Sequence, residues 1–167
     1  MRILANTLLL FYLTTFLLCC KDDDTLTLPA ATSIGAGTFG CLIDGKVYVP
    51  QGAYSEPLLQ PARTMIVVSG GSINVHFVLV VRDTTDVIVA NRSYYFNQET
   101  ITCAYHSLID KDDCDYRDTP VSGYIKFSKI DFESNIFSGV FEFTAYSTHC
   151  NKTTNITEGR FDMRADM

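Results

Sequence analysis

The two-residue hydrophobic period that closes the chain narrows the choice of fold more than any other feature. Phe137, Gly139, Phe141, Phe143 and Ala145 alternate with largely polar residues, and Phe161 and Met163 alternate with Glu158, Arg160, Asp162 and Arg164. Successive side chains of a strand point to opposite faces, so this pattern predicts two half-buried antiparallel strands. Placing Tyr146 opposite Ile156 sets Phe141 against Phe161, Gly159 under Phe143 and Glu142 beside Arg160, and that single register is the expected one.

The same period runs through most of the chain ahead of this pair. Phe39–Ile43 and Lys46–Val49 flank Asp44-Gly45, a pair suited to the positive φ angles of a tight hairpin, and Pro50 ends the second strand. Residues 51–63 form the longest irregular connection, a loop that could carry function. Thr64–Ser69 and Ser72–Arg82 read as strands joined by a Gly70-Gly71 turn. Val75, Phe77, Leu79 and Val81 share one face, and Val78 and Val80 make the far half apolar on both, which marks a central strand. Asp86–Ala90, Ser93–Phe96 and Ile101–Leu108 continue the pattern. In Val121–Phe132 the apolar phase changes between Phe127 and Ile130, which calls for a bulge near Ser128-Lys129. With no helical period in the body, the expected fold is all-β, an antiparallel sandwich or partly closed barrel of eight to ten strands.

The first residues are an address and not part of that fold. Arg2 precedes the apolar run Ile3–Leu18, then come Cys19-Cys20 and Lys21-Asp22-Asp23-Asp24. The run falls short of the ~20 residues of a bilayer-spanning helix and fits a secretory signal. Leu17-Leu18-Cys19-Cys20 resembles a bacterial lipobox, with Cys20 as the acylated residue because Leu18 is too large for the position before the cut. The expected organisation is a signal at 1–19, a lipidated flexible tether at 20–38 and one all-β domain at 39–167. After cleavage about 150 residues remain, enough for one real core. The formal net charge of −6 becomes one unit more negative when Arg2 leaves. A surface of that sign repels phosphate backbones, so nucleic acid is not an expected partner.

Export to an oxidising compartment makes disulfides the default for Cys41, Cys103, Cys114 and Cys150, which allow three pairings. The expected set is Cys103–Cys114, stapling a hairpin tip with about 3 kcal/mol, and Cys41–Cys150, closing most of the domain. No two of them have the C-x-x-C spacing that zinc would favour. Asp110, Asp112, Asp113, Asp115 and Asp118 crowd one loop and could offer oxygens to calcium, although the glycine and distal glutamate of an EF-hand are missing; solvated loop charge is the simpler reading. Of His76, His106 and His149, only His106, near Cys103 and Asp110, merits a test for hydrolysis, and no G-x-S-x-G or H-E-x-x-H stretch accompanies it. Tyr94, Tyr95 and Phe96 place aromatics on both faces of a short strand and are the candidate binding residues, with core capping as the bland alternative.

Two segments, Phe39–Pro50 and Ser138–Phe143 followed by Ile156–Asp162, resemble a family of small Bacteroidota outer-membrane lipoproteins of unknown function, and Lys21–Asp24 looks like the export signal of that group's surface lipoproteins. The resemblance implies an exported, surface-exposed β-rich lipoprotein and supplies no catalytic residues. The short acceptor pattern of that group's O-glycans appears at Asp24-Thr25-Leu26 and Asp83-Thr84-Thr85. The N-glycan triplets beginning at Asn91, Asn151 and Asn155 read as chance matches behind a bacterial lipobox. The expectation is a non-catalytic binding or envelope-interaction module without a cofactor, held at the membrane by its lipid, with glycans or surface proteins as ligands. An envelope hydrolase, a purely structural or inhibitory lipoprotein, and a periplasmic-facing placement are the alternatives.

Overall fold

The computed structural model describes residues 26–50, 58–62, 65–71, 75–83, 86–96, 104–108 and 120–165. Ten strands occur among them: β1 (Thr38–Ile43), β2 (Lys46–Tyr48), β3 (Leu58–Ala62), β4 (Met65–Gly71), β5 (Val75–Arg82), β6 (Ser93–Tyr95), β7 (Ala104–Leu108), β8 (Pro120–Asp131), β9 (Ile136–Ser147) and β10 (Lys152–Arg164). They form two antiparallel sheets, ordered β2-β1-β10-β9-β8-β6 and β3-β4-β5-β7. The fold is an all-β sandwich and not a closed barrel.

Alternation explains the layering. Phe39 of β1, Phe127 of β8, Phe141 and Phe143 of β9 and Phe161 of β10 point inward from the six-stranded sheet, and Ile66, Val68, Phe77, Leu79 and Val81 point inward from the other. The rings meet in the middle: Phe77 stands 5.6 Å from Phe39 and 6.4 Å from Phe143, the latter edge-on, and Phe127 meets Phe161 edge-on at 5.8 Å. Each such ring contributes roughly 1.5–3 kcal/mol by burial alone. Tyr94 is buried with its hydroxyl satisfied, accepting from Val89 N at 2.7 Å and donating to Val89 O at 3.2 Å.

The β1–β2 hairpin turns at Asp44 (φ 48°) and Gly45 (φ 79°), as its sequence requires. β5 is flanked by β4 and β7, and β8 changes register between Phe127 and Lys129. Three expectations about the strands fail. Gly70 and Gly71 are not a turn but the end of β4, paired with Phe77 and His76. The reason is close packing, since a Cβ on Gly70 would lie 2.6 Å from the Phe39 ring. Asp86–Ala90 forms no strand; Asp83 organises the segment instead, accepting from Asp86 N at 3.0 Å and pairing with Arg92 at 3.3 Å.

The third failure is the register of the closing pair. Tyr146 lies opposite Thr153, Phe143 opposite Ile156, Phe141 opposite Gly159 and Gly139 opposite Phe161. Aromatic rings over glycines set this register: a Cβ on Gly159 would fall 2.5 Å from the Phe141 ring, and one on Gly139 would fall 2.7 Å from the Phe161 ring. One extra residue of β10 absorbs the offset. Both neighbours shift there, β9 between Ile156 and Gly159 and β1 between Gly40 and Leu42, and Glu158 carries the positive φ of 50°. Arg160 reaches back over this bulge, donating from Nε to Glu158 O at 3.2 Å and pairing with its carboxylate at 3.3 Å.

The Cys41–Cys150 link is not formed. Cys41 is a free, buried thiol facing the core, and Cys150, in the β9–β10 turn, is disulfide-bonded to another partner. Leu42 pairs with Thr157, so the stretch Lys152–Thr157 of β10 separates the two cysteines by about 17 Å. A disulfide bridges Cα atoms no more than about 7 Å apart. The expected Cys103–Cys114 staple lies outside the described residues.

Among the described residues, no edge strand exceeds five residues. β2 and β6 have three residues each, and the edge strand β3 carries Pro61, which has no N–H to donate.

Candidate functional site

Two features occupy the outer face of the six-stranded sheet. The first is a strap formed by the residues that precede β1. Of the stretch read as a tether, residues 26–37 form no strand, yet several dock on the sheet across its strands. Pro29 covers Gly40 of β1 and accepts from Arg160 Nη1 at 3.3 Å, and Ser33 Oγ lies 3.3 Å from Ser128 Oγ of β8.

Between these points sits Asp162. It faces outward by alternation yet is 1 % exposed, because the strap lies over it. Its carboxylate accepts from Thr32 Oγ1 at 2.5 Å, Ile34 N at 3.0 Å, Gly35 N at 2.8 Å and Ser138 Oγ at 2.6 Å. Burial pushes the carboxyl upward, but the four donors outweigh it and hold the group down at about 2. Positive φ at Gly35 (74°) and Gly37 (70°) turns the strap back into β1. Nothing local marks this clasp in the sequence, where Asp162 reads as an ordinary solvent-facing position of an alternating strand.

The second feature is a row of side chains beyond the strap. Alternation splits the Tyr94-Tyr95-Phe96 candidate: Tyr94 and Phe96 are core, whereas Tyr95 is 51 % exposed. Tyr95 pairs with Tyr124, ring centroids 6.1 Å apart and tilted by 58°. Tyr124 in turn lies opposite Glu142, which faces the Thr157–Glu158 bulge. The next row toward the strap is Ser93, Lys126, Val140 and Arg160, with Val140 also exposed.

Among the described residues, the other sequence candidates do not converge here. Cys20 and the aspartates 110, 112, 113, 115 and 118 lie outside the described residues. The β5–β7 register sets His76 opposite Ser107 and His106 opposite Phe77, and His149 is exposed in the β9–β10 turn. Among the described residues, no three His, Cys, Asp or Glu side chains are gathered as for a metal ion, and no helix is long and apolar enough to cross a membrane. A cleft of about 160 Å³ lined by Pro29, Gly37, Thr38, Phe39, Val49 and Pro50 opens beside the strap. It is smaller than the roughly 300–1,000 Å³ of ligand pockets. No protein-family model matches the chain, and no curated protein or solved structure shows significant similarity to it.

Proposed function

We propose that this protein is an outer-membrane lipoprotein, anchored through acylated Cys20 and facing the cell surface, whose sandwich serves as a non-catalytic binding module for glycans or surface proteins. The observation that carries the binding role is the Tyr95–Tyr124 pair. A half-exposed ring beside a second ring, on a sheet face that also exposes Val140 among charged and hydroxylated residues, is surface that folding alone does not require. The leader carries the anchoring role. Its short apolar run, Cys20 and the Lys21–Asp24 cluster fit an exported lipid-anchored chain.

Both halves are testable on the full chain. Incorporation of a clickable palmitate analogue that disappears in Cys20→Ala supports the anchor, whereas a purified protein that still carries its leader overturns it. Proteolytic shaving of a C-terminal tag from intact cells supports surface display, and full protection of the tag places the domain on the periplasmic side. For binding, detergent-solubilised protein should be retained on intact cells and Tyr95→Ala should not; equal retention of the two removes the aromatic pair from the reading.

A further inference from the structure

We infer that the outer face of the six-stranded sheet holds a binding lane for a linear, uncharged oligosaccharide, running across the strands from Tyr95 and Tyr124 to Glu142 and Glu158. This deepens the binding role proposed above and rests on it.

The lane has a direction and a wall. Tyr95, Tyr124, Glu142 and the Thr157–Glu158 bulge lie side by side on β6, β8, β9 and β10. Three strand spacings make it about 14 Å long, roughly the length of three linked pyranose rings. The strap crosses the same strands on the same face, with Ser33 against Ser128 and Thr32 against Asp162, and bounds the lane on one side. A ligand is thereby steered to lie parallel to the strap, perpendicular to the strands.

The chemistry selects the ligand. The exposed phenol of Tyr95, beside the half-buried ring of Tyr124, can stack on the C–H face of a sugar, and the carboxylates of Glu142 and Glu158 accept from its hydroxyls. The strands beneath, β8, β9 and β10, are paired on both sides, so an incoming peptide finds no main-chain groups to join on this face. The lane carries the carboxylates of Glu142 and Glu158, and the row beside it offsets them with Lys126 and with Arg160, which pairs with Glu158. Two carboxylates on a chain of net charge −6 discriminate against acidic polymers.

The chain holds nine tyrosines, so amide chemical shifts, and not bulk tyrosine emission, locate the site. The probes are cellohexaose, maltohexaose and mannohexaose, with a trigalacturonate and a lysine-rich extended peptide as comparisons. At least one neutral hexaose should shift the amides of Tyr95, Tyr124 and Glu142 saturably. Tyr95→Ala should weaken it about tenfold or more, while Tyr95→Phe, which keeps the ring, should stay within about threefold. Shifts at these residues from the peptide or the trigalacturonate alone overturn the ligand class and leave the binding role standing. Silence of all five probes at Tyr95, or binding that survives Tyr95→Ala, overturns the lane itself.

Discussion

Replacing Asp162 with alanine removes the one group on which the strap converges. In the wild type three of its four hydrogen bonds come from the strap, from Thr32, Ile34 and Gly35. Bonds to a charged acceptor contribute about 1.5–3 kcal/mol each. Ordering the four residues from Thr32 to Gly35 costs about 1–2 kcal/mol apiece in backbone entropy, so strap docking is favourable by only a little. The fourth bond, from the fully buried Ser138 hydroxyl, belongs to the sheet itself, and a donor left without an acceptor costs about 1–3 kcal/mol. Asp162→Ala should therefore lower global stability by about 2–3 kcal/mol, read as a lower urea midpoint with an unchanged slope. Hydrogen exchange at the Ile34 and Gly35 amides should rise to the rate of an open loop.

Acid provides an independent arm. A carboxyl held at about 2, below its ordinary 3.8, stabilises the fold fully at neutral pH and loses that contribution as pH falls from about 4 through 2. With solvent at the rim of the strap allowed for, the loss is about 1–2 kcal/mol. The gap between wild type and variant should narrow over that range. A variant within about 0.5 kcal/mol of wild type at pH 7, with Ile34 and Gly35 still protected, would refute the clasp.

Further outcomes are expected elsewhere. Gly159→Ala drives a methyl into the Phe141 ring and should destabilise by about 1–3 kcal/mol in denaturant titration. Tyr94→Phe strips Val89 of both hydroxyl contacts and should lower stability by about 1–2 kcal/mol, whereas Tyr95→Phe, at the surface, should change it by less than about 0.5 kcal/mol. Burial pushes the Cys41 thiol up to about 12, so iodoacetamide at pH 8 should label Cys41 only after unfolding. Peptide mapping without reduction should recover Cys150 cross-linked and Cys41 as a free thiol.

Which parts of this were legible in the sequence follows from how local their causes are. Asp44-Gly45 dictates its turn by itself, and the phase change after Phe127 betrays the bulge, because both signals sit within a few residues. The β9–β10 register depends instead on rings lying over glycines and on an extra residue at Glu158, neither of which an alternating pattern records. Gly70-Gly71 misleads for a related reason, since the Phe39 ring that requires Gly70 comes from another strand. Asp162 is the extreme case, as its partners Thr32, Ile34 and Gly35 lie at the far end of the chain. Period two separates Tyr95 from Tyr94 and Phe96 correctly, but only the packing of the second sheet against one face tells which side is wet.

The abbreviated borders of both sheets bear on behaviour in a crowd. A long, flat, unpaired border is a template on which neighbouring copies add strand after strand until fibrils grow. Here a docking strand would find three residues at β2, three at β6 and an interruption at Pro61 in β3, so that of the four described borders only the five-residue β7 is neither that short nor interrupted. Growth of that kind is therefore disfavoured at three of the four described borders.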